Sequence, residues 1–434
     1  MRVIWEECKY IFRGRFLWAV LALGLLYSLG ISMMNQQWVM ENSALTNRYV
    51  EEHGAVYDRS DGRIYEEYYL RETEEGRRAV EIMKELGYSQ PTEADFLEVY
   101  EMFNTNYEAC IAKLGEETFW ELQVVLQQFG MVFHEYFSDI VPKVDGKQAA
   151  EDGIYHLENY GSMETAKLPQ WKKDLLFWGG EQLEARYADV DLEKERNWLV
   201  PAFQISSGFE WLNSLTNSNY GMGFLMAVGM VLAGMVAARS LGGSFLEGRE
   251  NLLYSTKSGR KLVFSKLAAS LLAVSVLYLL LTAIFLAVMA PAFRVDLYWN
   301  VPVIAGAGII RFPTTVGGYL LFLVGVGLGC TVVMCLLFCG FMIGAKNFFG
   351  GSALCVGVSL VLAAVILFLP AVQTSLFLMG SPIGLFTGSS RLLGSDFPFS
   401  FLLPHFEGIS LLIWGLLASL VVGAGFLRFR KAAL

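Results

Sequence analysis

Six runs of apolar residues, each long enough to cross a lipid bilayer, constrain this chain more than any other feature. A helix rises about 1.5 Å per residue, so roughly 20 apolar residues cover a hydrocarbon core of about 30 Å. The runs fall at residues 16–34, 218–238, 262–290, 315–345, 352–369 and 408–427. Only 17% of the residues are charged, against about 25% in a soluble domain. A soluble enzyme, a disordered chain, a collagen-like fibre and a disulfide scaffold are excluded. Of six cysteines, Cys8, Cys330, Cys335, Cys339 and Cys355 lie in the terminal arm or the apolar runs. Cys110 alone lies in the polar block, which therefore holds no internal disulfide.

The net charge of −9 conceals two opposed parts. Residues 35–217 carry 35 acids and 16 bases, a net −19, and the remainder carries 7 acids and 17 bases, a net +10. Bases gather on one side of the predicted spans: Arg2, Lys9, Arg13 and Arg15, then Arg239, Arg249, Lys257, Arg260 and Lys261, then Lys346 and the tail. The positive-inside rule makes that side, with both termini, cytoplasmic, and puts the acidic block outside the cell membrane. The first run is longer than a signal-peptide core, and Gly30-Ile31-Ser32-Met33-Met34-Asn35 lacks a small-x-small cleavage site, so an uncleaved anchor is expected.

The expected fold is an all-α polytopic membrane protein. A cytoplasmic amphipathic arm (1–15) leads into helix 1 (16–34), a mainly helical extracytoplasmic domain (35–217) and helix 2 (218–238). A cytoplasmic loop (239–261) then precedes helices 3–6 and a short tail (262–434). In the domain, Phe96, Val99, Tyr100 and Phe103 recur at helical spacing behind Thr92 and Asp95, an N-cap and a capping-box partner. Trp120, Val124, Leu126 and Val132 continue the pattern, and Tyr65, Tyr68, Tyr69, Val80 and Met83 mark an earlier helix. Legs that continue spans one and two above the membrane fit this plan.

No catalytic or metal-binding motif emerges. His53, His134 and His156 are scattered, and His134-Glu135 lacks the second zinc histidine of a helical H-E-x-x-H. No nucleophile elbow, calcium loop or phosphate-binding G-x-x-x-x-G-K-[ST] is present; Gly259-Arg260-Lys261 lacks both the glycine spacing and the hydroxyl. The interiors of the spans as drawn hold no Asp, Glu, Lys, Arg or His, which argues against an ion-coupled carrier or a charged channel. They hold small residues instead, Gly325, Gly327, Gly329, Gly340 and Gly344, which suit either packing within one subunit or a dimer face.

The loop after the second run reads Glu247-Gly248-Arg249-Glu250-Asn251-Leu252-Leu253-Tyr254-Ser255-Thr256-Lys257-Ser258-Gly259-Arg260 and continues to Lys266. It describes a short amphipathic helix, a polar turn from Ser255 to Gly259, and bases that anchor the third span. Orientation alone does not account for Glu247 and Glu250. Glu247, Gly248, Leu252, Leu253, Ser255, Thr256, Arg260 and Lys266 resemble the first cytoplasmic loop of permease subunits of type-2 ATP-binding-cassette (ABC) exporters; Lys257 stands where the family more often has Pro.

The resemblance extends to the stripe Ile4, Trp5, Cys8, Ile11 and Phe12, like an interfacial connecting helix, and to Ser381–Pro404, like a re-entrant pair. It implies a subunit that is not itself an enzyme and carries no cofactor, with ATP bound by a cytoplasmic ABC ATPase. Residues 247–260, with Arg249 and Glu250 among them, and Lys266 would form the docking element. A second permease, identical or not, and membrane lipid are the other partners; nucleic acid is not one. Export of a peptide, drug, lipid-like molecule or cation fits, as does a membrane-anchored sensor or mechanotransmitter that binds an ATPase and moves no solute.

Overall fold

The computed structural model describes residues 2–55, 68, 70–92, 95–96, 98–100, 102, 106, 108, 111–112, 115–127, 144–159, 167–192, 212, 215–217, 219–246, 257–303, 312–345, 347–368, 376–387, 403 and 405–431. Among them there is no strand, only an isolated bridge between Pro302 and Thr315. In chain order, α1 is Arg2–Phe12, α2 Arg15–His53, α3 Glu74–Glu85, α4 Glu116–Gln127, α5 Gly146–Asn159 and α6 Gln170–Tyr187. Helix α7, Met222–Ala237, runs through a π-helical turn, Ala238–Gly242, into α8, Gly243–Leu246. Then follow α9 Lys257–Ala292, α10 Val295–Tyr298, α11 Val316–Ala345, α12 Phe348–Phe368, α13 Leu376–Met379, α14 Pro382–Thr387 and α15 Phe406–Lys431.

Among the described residues five stretches are long and apolar enough to cross a membrane: Arg15–Met34, Met222–Gly242, Lys261–Ala292, Val316–Ala345 and Phe406–Arg428. The expected fifth run forms α12, which is apolar from Phe348 to Ala364. Lipid dictates this all-helical outcome, because an isolated strand would leave its backbone N–H and C=O groups without partners. Helix α7 is apolar all round and sits innermost, with Leu225, Met226, Leu232, Ala233 and Val236 fully buried. Leu23 and Leu26 of α2 and Leu412, Leu416 and Leu420 of α15 point outward.

Glycines set the contacts between these helices. A Cβ on Gly340 would strike Val421 and the Val422 amide of α15, and one on Gly425 would lie 2.9 Å from the Gly340 carbonyl. Gly329 faces Leu411 of the same helix. Tyr278 of α9 is wedged between α7 and α11, its ring over Gly229 and its hydroxyl against Gly327. Four of the five glycines singled out in the sequence thus pack inside one chain, and only Gly325 faces open space.

The polar block builds two small helical cores. In the first, Ala79, Ile82 and Met83 of α3 meet Phe96, Val99, Phe119 and Leu122. The Thr73 hydroxyl caps α3 by accepting from the Gly76 amide at 2.9 Å. At the other end Gly87 takes φ +106°, and the Tyr88 amide returns to the Met83 carbonyl at 3.1 Å. The expected cap before Phe96 is present: the Asp95 carboxylate accepts from the Thr92 N–H and hydroxyl, both at 2.6 Å. Those bonds, the hydroxyl's first, hold its carboxyl below the usual carboxylate range. Trp120 is a correction. It is exposed, and α4 buries Phe119 and Leu122 instead.

In the second core α5 and α6 approach at Gly146 and Gly180, where a Cβ on either would overlap the other's carbonyl. Lys173 pairs with Glu158 at 2.7 Å, and the Leu168 N–H donates to the same carboxylate at 2.9 Å. The lysine first and the amide second lower the Glu158 pKa. That contribution is present above the ordinary carboxylate pKa and is lost as pH falls through the depressed one. Gly180→Ala should destabilise this helix pair by about 1–3 kcal/mol through overpacking. Hydrogen exchange on the full chain should then speed up over residues 144–192 and stay unchanged in α3 and α4.

Candidate partner-coupling site

The apolar stripe of α1 is real but shifted. Cys8 and Ile11 are buried, Ile4 and Phe12 are partly so, and Trp5 lies on the margin, 61% exposed beneath the Lys9 ammonium. Spacing of i, i+4, i+7 aims Ile4, Cys8 and Ile11 at one neighbour. That neighbour is α9, where the Cys8 thiol donates to the Ala269 carbonyl at 3.7 Å. Burial, with Glu7 adding to it, pushes the Cys8 thiol pKa up, so the sulfur is held as an unreactive thiol at neutral pH. The Trp18 indole N–H closes the turn between α1 and α2 on the Phe12 carbonyl at 2.7 Å.

Glu7 sits in the same stripe and faces Lys266 in the third turn of α9. The Lys266 ammonium donates to Glu7 Oε2 at 3.1 Å and to the Ser240 carbonyl at 2.9 Å. Its side chain is 9% exposed and that of Glu7 18%. Ser240 belongs to the π-helical turn that ends α7. Arg239, beside it, donates to the Tyr10 carbonyl at 3.0 Å and stacks on the Tyr10 ring at 4.6 Å. Three chain segments far apart in sequence therefore meet at one ammonium: the arm, the end of α7 and the start of α9.

Of the residues expected to dock an ATPase, Glu247, Gly248, Arg249, Glu250, Leu252, Leu253, Ser255 and Thr256 lie outside the described residues. Arg260 falls in the first turn of α9, which begins at Lys257. The polar stretch from Lys257 to Gly259 is therefore helical rather than a turn. One helical glycine costs about 1 kcal/mol, which a long apolar helix outweighs. Lys266 is turned inward, where it positions the arm. Glu7, Ser240 and Tyr10 were not singled out in the sequence, and Arg239 only as a base that sets orientation; an acid inside an apolar stripe and a base inside an apolar run were the available signals.

The wider comparisons are silent: no family model, curated protein or solved structure matches this chain.

Hydrogen bonds to charged groups contribute about 1.5–3 kcal/mol each. Lys266→Met keeps the aliphatic stem and removes the ammonium, so α1 should open about 10-fold or more often. Maleimide labelling of Cys8, followed by mass spectrometry of its peptide, should accelerate accordingly. An unchanged rate would mean that apolar contacts alone hold the arm.

Proposed function

We propose that this chain is the permease subunit of a type-2 ABC exporter in a bacterial plasma membrane, paired with a second permease and driven by a separate cytoplasmic ATPase. In this reading α12 completes six spans, the bases lie inside, and residues 35–217 stand outside. The observation that carries the reading is the Glu7–Lys266–Ser240 junction. It fastens the arm to both helices that flank residues 247–256, the segment bearing the exporter-like residues. A lever needs such a fixture: an ATPase that moves this loop then moves α1, α7 and α9 together. Glu247, Glu250 and Arg260 supply charge-assisted contacts for docking. Among the described residues no Asp, Glu, Lys, Arg or His lies deep in the spans to offer an alternative energy input by ion coupling.

One feature favours the second reading, a mechanotransmitter. Helix α2 runs unbroken from the membrane into the polar domain for 39 residues, about 58 Å at 1.5 Å per residue. Near its far end Glu51 pairs with Arg294 at 2.5 Å and Asn47 accepts from the Tyr298 hydroxyl at 2.7 Å. Such a rod could relay force to an outside partner without any flux.

Co-expression with an ABC ATPase encoded beside the gene should yield a complex. Glu247→Ala with Arg260→Ala should weaken it about 10-fold or more, in line with loss of charge-assisted contacts. Unchanged association would sink the docking assignment. ATP hydrolysis without solute accumulation in vesicles would favour the mechanotransmitter.

A further inference from the structure

Between α7, α11, α12 and α14 lies a cavity of about 540 Å³. Met230 and Met235 come from α7, Met334 and Met342 from α11, and Ile383 and Phe386 of α14 close one end. No lining residue is an acid or a base. The Ser359 hydroxyl in its wall donates to the Cys355 carbonyl of its own helix at 2.8 Å, so it offers a ligand no free proton. The cavity follows α7 from Ala227 to Ala238, about 17 Å at 1.5 Å per residue. Its mouth is framed by Val231 of α7 and by Val356 and Leu360 of α12, which line the space yet remain more than half exposed. In a bilayer crossed by Met222–Gly242, this stretch of α7 would lie among hydrocarbon.

These properties choose among occupants. Beyond Ser359 only Ser352 adds a hydroxyl to the lining, far fewer partners than the polar groups of a peptide or a cation require, at a cost of several kcal/mol. Spread along its length, the cavity has a cross-section of about 30 Å², narrow enough for an extended chain. One leaflet of a bilayer with a core of about 30 Å is some 15 Å deep, close to the cavity's length. Methionine walls adapt to such a flexible, apolar guest.

We propose that the cavity binds a single hydrocarbon tail of a membrane lipid, entering sideways between α7 and α12. The site rests on the membrane-spanning character of α7 and α11 and not on the ATPase, so a failure to find that partner leaves it untouched. Within the exporter reading it narrows the cargo to molecules bearing such a tail.

The test uses the full chain in phosphatidylcholine nanodiscs with stearic acid carrying a nitroxide near its methyl end. The wild type should show a saturable immobilised component of about one probe per chain. Gly234→Phe with Ala363→Phe should weaken it at least 10-fold; a side chain at Gly234 starts at ordinary contact, 3.4 Å from the Phe338 ring. Leu280→Phe, on the exposed face of α9, should leave it unchanged. Equal immobilisation in the wild type and the filled variant would overturn the site. A stearic acid with a methyl-end diazirine gives a readout on the unaltered chain. Crosslinks should concentrate on α7, α11 and α12; an even spread over α2 and α15, or a Leu360→Cys disulfide joining two copies with no bound probe, would also overturn it.

Discussion

Close approach of helix backbones at glycine is the contact on which the membrane part depends. Lipid tails are as apolar as leucine, so burying one leucine against another gains little there, and helices associate through dispersion and fit. Helix α11 uses both of its sides for this. Gly329, Gly340 and Gly344 admit α15, while Gly327 admits the Tyr278 hydroxyl end from α9. Each helical glycine would cost about 1 kcal/mol in water. Within a bilayer the chain has no unfolded, hydrated alternative at that depth, so the penalty loses most of its force.

Among the described residues, the ion pairs that join separate segments of this framework lie at its two ends, one on α9 and one just past it. At one end Lys266 joins Glu7 and Ser240. At the other, just beyond Ala292, Arg294 reaches Glu51 and Tyr298 reaches Asn47 on the extension of α2. Midway, Tyr278 locks α9 between α7 and α11. A 36-residue helix, about 54 Å long, pinned at its ends and middle, has little freedom to bend. Displacement applied near Lys257 must appear as a shift or tilt of the whole element.

How much of this was legible in the sequence depended on whether one residue or two carried the signal. The apolar runs could be read directly, as could the Thr92–Asp95 cap, because the decisive residues are neighbours in the chain. Periodicity alone did not separate Phe119 from Trp120: adjacent aromatics differ by about 100° around a helix, and only the position of α3 decides which one is buried. The end of the first span at Met34 could be read as well, and the leg expected above it is the rest of α2, which continues to His53. Lys266 reads as part of the docking element because its partner, Glu7, lies 259 residues away. The glycines could be recognised as packing positions, yet whether they served a second copy or this chain required the placement of α15.

The apolar cavity and the polar junction share one helix, and the π-helical turn is where they meet. Ala238 opens that turn and lines the cavity; Ser240, two residues on, gives its carbonyl to Lys266. A π-helical turn carries a residue beyond the usual 3.6, which loosens the regular i→i+4 pattern and leaves a carbonyl able to accept from a side chain. The Lys266–Ser240 bond is 2.9 Å long, within the usual range for such bonds, and it ties the ammonium to the turn that Ala238 opens. Whatever fills the space beside Met230 and Met235 lies against the same helix that holds the arm, so cavity and arm are adjacent on α7 and its π-helical turn.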